Sequence, residues 1–490
     1  MNTKKRKSLG VNAALNGLRS VLNIIFPIIT FPYVSRVLKV SELGKYNWSN
    51  SFVSYFILLA GLGISTYAVR EGAKFRNDRQ ELDEFASQVF SINIISTIFS
   101  YIVLLLCLIF WHKLHAYSYA VLIFSFQIFF TTIGTEWIYT IFEEYTYITA
   151  RSIVFKVLSF VLLFIFVRHP GDYLNYAAIT VLSAVGSNIL NYLHAKQFCT
   201  IRFTLKIDWQ QHLKPILVIF ASSVASQIYL SLDTTLLGLM QNNYVVGIYS
   251  VSNKMYGIVK NLIAAILTVT IPRFALLWGR RKIREYRSLL LEISDFLALI
   301  SIPASAGVFM LAPQIILILS SHKYLRAVSS LQLLCPALIF SIFSWVFQSC
   351  VLIPAKREKK VLIVTIIGAL VNFGLNLLLI PIMAENAAAF TTSLAEFISM
   401  VLSIYYSRDI IKGLFLSSFW RNILSYIIGS VIIVLICLAG RVLFNSWIPI
   451  IIFDVIFSVI EYILVLIGTK NKFVVIFIES LLYKFNARSK

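Results

Sequence analysis

The sequence predicts an all-α integral membrane protein with about 14 transmembrane helices. Two observations support this fold class. Hydrophobic residues make up 59% of the 490 residues, and they fall into long runs separated by short loops whose basic content alternates. A helix needs roughly 20 apolar residues to cross the hydrocarbon core of a bilayer. Because lipid offers no hydrogen-bond partner to the backbone, such runs must be helical.

The predicted spans follow one another along the whole chain. Dividing 490 residues among 14 spans leaves about 35 residues for each span and its loop, too few for a separate soluble catalytic domain. Any function must therefore lie between the helices. The spans are residues 11–35, 46–69, 86–110, 117–141, 148–168, 173–196, 213–240, 245–271, 292–319, 327–353, 361–383, 386–407, 421–441 and 447–468.

The basic residues are distributed unevenly between alternate loops. The net charge of +21 alone would suit a nucleic-acid binder, but 31 of the 43 Lys and Arg residues lie in the two termini and in every second loop, against eight in the intervening loops. Cytoplasmic loops of membrane proteins carry such an excess of positive charge. We therefore predict that both termini are cytoplasmic, and that the protein contacts the lipid bilayer and no nucleic acid.

A weak internal repeat predicts two related halves. Residues 43–50 read L-G-K-Y-N-W-S-N and residues 246–253 read V-G-I-Y-S-V-S-N, with Gly, Tyr, Ser and Asn in register. Repeats in transporters often mark two lobes around a central site. The offset relates spans 1–6 to spans 7–12, which predicts an N-terminal lobe (1–200), a C-terminal lobe (201–412) and a final segment (413–490) with spans 13 and 14 and a basic cytoplasmic tail.

No enzyme motif occurs in the sequence. It has no Walker loop, dinucleotide fingerprint, nucleophile elbow or HExxH helix. Four of the five cysteines lie within predicted spans and Cys199 lies in a predicted cytoplasmic loop, without metal-ligand spacing, so we interpret all five as packing residues. The sequence therefore predicts a protein that is not an enzyme, with no catalytic residue, no metal site and no cofactor.

Polar residues inside the spans are the first candidates for function, because lipid does not solvate them. They form one face of span 1, open span 2, and recur in span 7. One interpretation is helix packing through small polar residues, and the other is a shared hydrated cavity. Their occurrence on the repeat-related spans 1 and 7 favours the cavity. The predicted cavity residues are Asn16, Asn23, Asn50, Ser226, Gln227 and Asn253.

Two acids within the spans lie level with lysines when residues are counted outward from the turns. At 1.5 Å per residue along a helix, Asp233 comes level with Lys254, and Glu136 with Lys156. Such pairs can be purely structural, because pairing is the least costly way to keep charges within a membrane.

Three further charged residues, Arg19, Lys260 and Glu396, find no partner by this counting. Unpaired cations at depth need water, a distant acid or an anionic ligand. The predicted anion contacts are Arg19, Lys254 and Lys260, and the acids predicted for ion coupling or structural pairing are Glu136, Asp233 and Glu396.

Several motifs occur in a characteristic order. They are F-P-I-I-T-F-P-Y-V-S-R-V-L (26–38), G-L-G-I-S-T-Y-A-V-R-E (61–71), E-W-I-Y-T-I-F-E-E-Y-T-Y-I-T-A-R (136–151), L-D-T-T-L-L-G-L (232–239), V-G-I-Y-S-V-S-N-K (246–254) and a helix with Asn372 and Asn376 that ends at Pro381. Across essentially the whole chain, this pattern resembles the polysaccharide flippases of the multidrug/oligosaccharidyl-lipid/polysaccharide exporter superfamily. Similar proteins usually have a G-A-A turn after the proline, where residues 385–388 here read E-N-A-A, and they often carry a glutamate at the position of Glu396.

The resemblance implies two six-helix lobes facing a central, alternately open cavity, with two extra C-terminal helices. It also implies that the protein flips undecaprenyl-pyrophosphate-linked oligosaccharide repeat units across the bacterial inner membrane for capsule, exopolysaccharide or O-antigen synthesis. The pyrophosphate would contact Arg19, Lys254 or Lys260, since fixed cations offset part of its desolvation. Sodium or a proton is the expected coupling ion, and a polysaccharide polymerase and a chain-length regulator are the expected protein partners.

Two alternatives remain at this point. A multidrug exporter, or an exporter of another lipid-linked precursor, of the same superfamily is the first; in a multidrug cation exporter, acids should outnumber cations in the cavity. A membrane glycan-modifying enzyme is the second. A polymerase needs a large extracytoplasmic loop, whereas the predicted outer loops here have about 10 residues or fewer.

Overall fold

A computed structural model of the protein describes residues 25–415 and 417–471. Within these ranges the chain forms helices and no strand, which confirms the predicted all-α fold class. The helices are α1 (Ile25–Val37), α2 (Val40–Gly61), α3 (Ile64–Gly72), α4 (Arg79–Phe110), α5 (Ser118–Gly134), α6 (Glu136–Ile141), α7 (Tyr145–Phe166), α8 (Tyr173–Val185), α9 (Asn188–Ala195), α10 (Trp209–Met240), α11 (Asn243–Gly279), α12 (Ile283–Leu319), α13 (Ala327–Trp345), α14 (Glu358–Met383), α15 (Glu385–Ile411), α16 (Ser417–Leu443) and α17 (Trp447–Gly468).

Thirteen helical segments in the described ranges are long and apolar enough to cross a membrane, and α1 is a shorter apolar helix. They coincide with the 14 predicted spans, so this is a multi-pass membrane protein. The first part of span 1, with Asn16, Arg19 and Asn23, lies outside the described residues. The side of the membrane on which the termini lie stays a prediction.

Three of the predicted spans are each built from two helices, which are α2 with α3, α5 with α6, and α8 with α9. Between α2 and α3, Leu62 and Gly63 have φ of 45° and 71°. A Cβ on Gly63 would also lie 2.6 Å from Cγ2 of Ile219, so both conformation and space favour glycine there. Thr135, with φ of 39°, separates α5 from α6. Sequence periodicity did not predict either of these two breaks, because the apolar run continues through each.

The chain divides into two compact units, with the boundary after Ser250 inside α11. In the first unit α2 packs against α4, α5 and α10, and α5 packs against α8 and α9. In the second, α15 packs against α13 and α14, α12 contacts α13 and α16, and α16 pairs with α17. A π-helical segment, Val346–Leu352, continues α13. The predicted division into segments 1–200, 201–412 and 413–490 stays a prediction.

Candidate functional site

The two glycines of the repeat meet where α2 and α11 cross in the first unit. A Cβ on Gly44 would lie 1.8 Å from the carbonyl oxygen of Asn243, and a Cβ on Gly247 would lie 2.1 Å from that of Val40. Asn243 and Gly247 follow Val40 and Gly44 by the same 203 residues that separate the repeats. Each contact thus joins the glycine of one repeat to the residue four positions before the glycine of the other. Only glycine allows both backbones to approach this closely.

Gln227 lies in a hydrogen-bonded contact between α10 and α2. Its amide nitrogen Nε2 donates to Oγ of Ser54 at 2.8 Å and to Oγ of Ser231 at 2.7 Å. One turn further, the hydroxyls of Tyr55 and Thr235 are 3.1 Å apart. Because every bond joins neutral groups, this interface resembles the small-polar packing that was the alternative interpretation of the polar stripe.

The same interface is close-packed beside these bonds. Nε1 of Trp48 donates to the carbonyl oxygen of Thr235 at 3.2 Å, and a Cβ on Gly238 would lie 1.9 Å from Cδ1 of the Trp48 ring. Ser226 differs from its neighbour Gln227: it is exposed, and its Oγ donates to the carbonyl oxygen of Ser222 in its own helix. Asn50 is half-buried on α2. A role for these side chains in a cavity stays a prediction.

Asp233 is a buried acid of the first unit, with 8% of its surface exposed. Its Oδ2 accepts a 2.7 Å hydrogen bond from the hydroxyl of Tyr249. Tyr249 is the tyrosine of the second repeat motif, and it was not among the predicted site residues although it lies nearly as far from the α10–α11 turn as Asp233 does. The predicted pair of Asp233 with Lys254 would connect the two units and stays a prediction.

Lys260 and Glu396 form an ion pair within the second unit. Nζ of Lys260 lies 2.9 Å from Oε1 of Glu396, whose side chain is 8% exposed. Counting from the turns found no partner for either residue, and the structure shows that each is the partner of the other. Counting from a turn compares only the two helices of one hairpin, whereas these residues lie 136 positions apart on α11 and α15. The ring of Tyr256 also lies 5.4 Å from this ammonium group.

Lys254 lies six residues earlier on α11 in a different environment. It is half-buried, and within the second unit it donates no hydrogen bond to a described residue. The preceding turn is fixed to α13, because Oγ of Ser252 donates to the carbonyl oxygen of Ala327 at 2.9 Å and lies 2.7 Å from Oγ of Ser330. Asn253, which lies between Ser252 and Lys254 in the sequence, is half-buried. An anchored stretch of helix thus carries a lysine with which no described residue of its own unit forms an ion pair.

A second ion pair lies where the chain departs from the family pattern. Arg326 forms a bidentate contact with Glu385, whose surface is 1% exposed, and Oγ of Ser329 lies 2.9 Å from Oδ1 of Asn386. Ala384, just before them, has φ of 49°, which favours glycine. These contacts hold the start of α15 against the start of α13 where similar proteins usually have a glycine-containing turn.

The remaining acid, Glu136, is the first residue of α6, and its pairing with Lys156 stays a prediction. No group of three or more His, Cys, Asp or Glu residues in the described part of the chain could hold a metal ion. All five cysteines are free thiols. Burial raises the pKa of the Cys199 thiol to about 12. The side chain packs in the hydrophobic core of the first unit beside α4 and α6.

The chain is similar to proteins of known family and to solved transporter structures. The family model described as "Polysaccharide biosynthesis protein" matches residues 9–278. A protein of Shigella dysenteriae named as an O-antigen transporter is 25% identical over 357 residues, which cover 71% of this chain and 87% of the relative. An Escherichia coli K12 protein of the same name is 22% identical over 424 residues, which cover 84% of this chain and 99% of the relative.

Two solved structures share the fold over most of the chain. The lipid II flippase MurJ in its inward closed conformation aligns with a TM-score of 0.71 at 15% identity, covering 94% of this chain and 99% of the flippase. An inward-facing multidrug transporter of the MATE family aligns with a TM-score of 0.60 at 15% identity, covering 80% and 98%. The family model spans more than half of the 490 residues, which confirms the predicted family. The chain belongs to the polysaccharide biosynthesis protein family and has the multi-helix membrane fold of flippases and multidrug transporters.

Proposed function

We propose that this protein flips undecaprenyl-pyrophosphate-linked oligosaccharide repeat units across the bacterial inner membrane by alternating access, for synthesis of a surface polysaccharide. Family membership and the O-antigen transporter relatives support the class of substrate. The observation that carries the proposal is the placement of Lys254 on the membrane-spanning helix α11, where no described residue of its own unit forms an ion pair with it. A diphosphate cannot cross hydrocarbon unshielded, and a fixed cation offsets part of its desolvation.

The three predicted cations contribute differently to this proposal. Glu396 neutralises Lys260, so that pair presents little net charge to an anion. Lys254 forms no ion pair with a described residue of its own unit, and it becomes the first candidate for the pyrophosphate contact. Arg19 stays a candidate on sequence grounds alone. The sugars would contact neutral polar side chains such as Asn50, Ser226 and Asn253.

Asp233, Glu136 and Glu396 remain the proposed acids for coupling to sodium or a proton. Glu396 is engaged with a lysine, so it can release or accept a proton only together with a change in that pair. Asp233 is a buried acid on a membrane-spanning helix and accepts a hydrogen bond from Tyr249, and it is a second candidate for ion coupling. A polysaccharide polymerase and a chain-length regulator are the proposed protein partners.

Export in cells tests the proposed function. In a strain that lacks this gene, lipid-linked repeat units should accumulate and surface polysaccharide should be lost, and the wild-type gene should restore it. A charge-assisted contact contributes about 1.5–3 kcal/mol, so Lys254→Gln should lower export roughly tenfold or more and Lys254→Arg should keep part of it. Lys282→Gln, at an exposed ion pair with Glu285, is the matched control and should export normally.

Two results would contradict the proposal. Unchanged surface polysaccharide in the deletion strain would exclude lipid-linked polysaccharide repeat units as the substrate. Full export by a well-expressed Lys254→Gln protein would remove this lysine from the pyrophosphate path. A deletion strain that gains sensitivity to cationic drugs and keeps its polysaccharide would favour the alternative of a multidrug exporter.

The proposed topology, with both termini cytoplasmic, has its own test. Ser288 and Asn242 are both exposed and lie at opposite ends of the predicted spans. In a cysteine-free background, an impermeant thiol reagent applied to intact cells should modify Asn242→Cys and leave Ser288→Cys unmodified. Modification of Ser288→Cys alone would reverse the orientation.

A further inference from the structure

A cavity in the second unit lies between α12, α16 and α17, and none of its lining residues is proposed above for the substrate. Its volume is about 370 Å³, and most of its lining is apolar, with Leu299, Pro303, Ile433 and Val459 among the wall residues. Val455, Val459 and Ile463 at its rim are 44–53% exposed. Since these helices span the membrane, a rim of exposed apolar side chains opens toward lipid and not toward water.

One carboxyl group interrupts this apolar lining. Asp454, on the second turn of α17, is 1% exposed, and neither of its carboxylate oxygens has a hydrogen-bond partner among the described residues. Oγ of Ser458, one turn further along the same wall, also lacks one. The carboxyl lies against α16 at Gly440, where a Cβ would come within 2.2 Å of its Oδ1. The carboxyl of Asp454 thus packs against Gly440 and lines an otherwise largely apolar cavity.

The groups around Asp454 compensate a negative charge only in part. On α16, the guanidinium of Arg441 attracts the carboxylate but is bonded to the carbonyl oxygen of Met310, and the thiol of Cys437, a weak donor, faces the carboxyl. On α17, Tyr462 donates its hydroxyl to the carbonyl oxygen of Leu299, and Glu461 is a second acid without a partner among the described residues. The cavity wall from α12 contains only apolar side chains and glycine.

We propose that Asp454 and this cavity form a proton-binding site that is reached from the bilayer. An ionised carboxylate with only a weak thiol donor beside it costs several kcal/mol inside a membrane, whereas the acid form is neutral, so the site holds a proton. The cavity gives lipophilic molecules a path to that acid from the lipid. The inference goes beyond the proposed function and does not depend on which molecule is transported.

Lipophilic carbodiimides test both halves of this inference. Dicyclohexylcarbodiimide reacts with the protonated acid: the carboxylic proton and oxygen add across one C=N bond, and the acyl group then shifts to nitrogen, giving a stable N-acylurea with no leaving group. The protein in membrane vesicles is treated with this reagent or with a water-soluble carbodiimide, digested, and analysed by mass spectrometry. We expect an adduct on Asp454 with the lipophilic reagent only, and weaker labelling as the pH rises.

Two variants connect the labelling to the site. Asp454→Asn keeps the shape of the side chain and should lose the adduct, which separates it from labelling at Glu461. Gly307 lines the cavity and has open space where a Cβ would be, so Gly307→Leu should fill the cavity and reduce labelling of Asp454 several-fold, while Gly307→Ala should not. No adduct on the wild-type residue, equal labelling by the water-soluble reagent, or full labelling of Gly307→Leu would each overturn the proposal.

Discussion

One helix contact of the first unit and two of the second hold polar residues within apolar helices in different ways. In the first unit, the contact of α10 with α2 consists of neutral groups: an amide, hydroxyls, an indole N–H and a backbone carbonyl. In the second unit, two ion pairs join α11 to α15 and the start of α13 to the start of α15, beside neutral contacts such as that of Ser252 with Ser330. Neutral hydrogen bonds position helices. An ion pair also does this, but a charged ligand or a proton can compete for one of its two partners.

This difference changes the interpretation of a polar stripe. Gln227 was predicted from its stripe as a cavity residue, yet its amide bonds within a close-packed interface. Charged residues provide the sharper signal, because a charge in a span must be compensated or used. We therefore expect the charged positions of the second unit to respond most strongly to mutation, and the neutral interface of the first unit to respond mainly through packing.

The largest effect should come from breaking the ion pair of α11 with α15. Glu396→Ala leaves the Lys260 ammonium without its partner, and loss of one partner of a buried pair costs about 3–5 kcal/mol. The thermal midpoint in detergent, followed by tryptophan fluorescence, should fall clearly. The double variant Lys260→Gln/Glu396→Gln removes both charges and should recover most of that loss. Equal midpoints for the single and double variants would show that the pair has no charge role.

A packing change in the first unit should have the next largest effect. Gly44→Ala places a methyl group where Asn243 approaches within 1.8 Å, and overpacking of this kind costs about 1–3 kcal/mol. The matched control is Gly61→Ala in the same helix, where no atom lies within 4 Å of the added Cβ and stability should stay unchanged. Similar midpoints for both variants would contradict the close crossing of α2 with α11.

Removal of the neutral hydrogen bonds should have a smaller effect. Polar contacts between membrane helices contribute about 0.6 kcal/mol on average, so Gln227→Ala should lower the midpoint only slightly. Ser226→Ala, at the adjacent exposed position, should not change it. A fall in the thermal midpoint for Gln227→Ala as large as that for Glu396→Ala would contradict the distinction between neutral and charged helix contacts.

The slowest chemical labelling is expected at the buried thiol of Cys199. Only a thiolate reacts quickly with maleimides, and a buried thiol whose pKa is about 12 stays protonated at neutral pH. In a variant with Cys199 as its only cysteine, labelling of the folded protein should be slow and should become rapid in denaturant. Fast labelling of the folded protein would show that this loop does not pack into the core of the first unit.

Sequence patterns predicted the fold better than they predicted the contacts within it. The long apolar runs defined the spans, because hydrophobic length is a local property. The pair of Lys260 with Glu396 was missed since its two helices are distant in the sequence, and the Arg326–Glu385 pair was missed for the same reason. Asp454 could have been singled out, because it is an acid within an apolar run, the same signal that identified Glu396.

Reconstitution of the purified protein tests the central claim most directly. Vesicles that contain the protein would be loaded with an undecaprenyl-pyrophosphate-linked oligosaccharide in both leaflets, and an impermeant glycosidase or lectin would be added outside. We predict that nearly all of the oligosaccharide becomes accessible with the wild-type protein, that only about half does in protein-free vesicles, and that Lys254→Gln slows the second half by roughly tenfold. Accessibility that stays at half with the folded wild-type protein, in the presence of either a sodium or a proton gradient, would contradict the account.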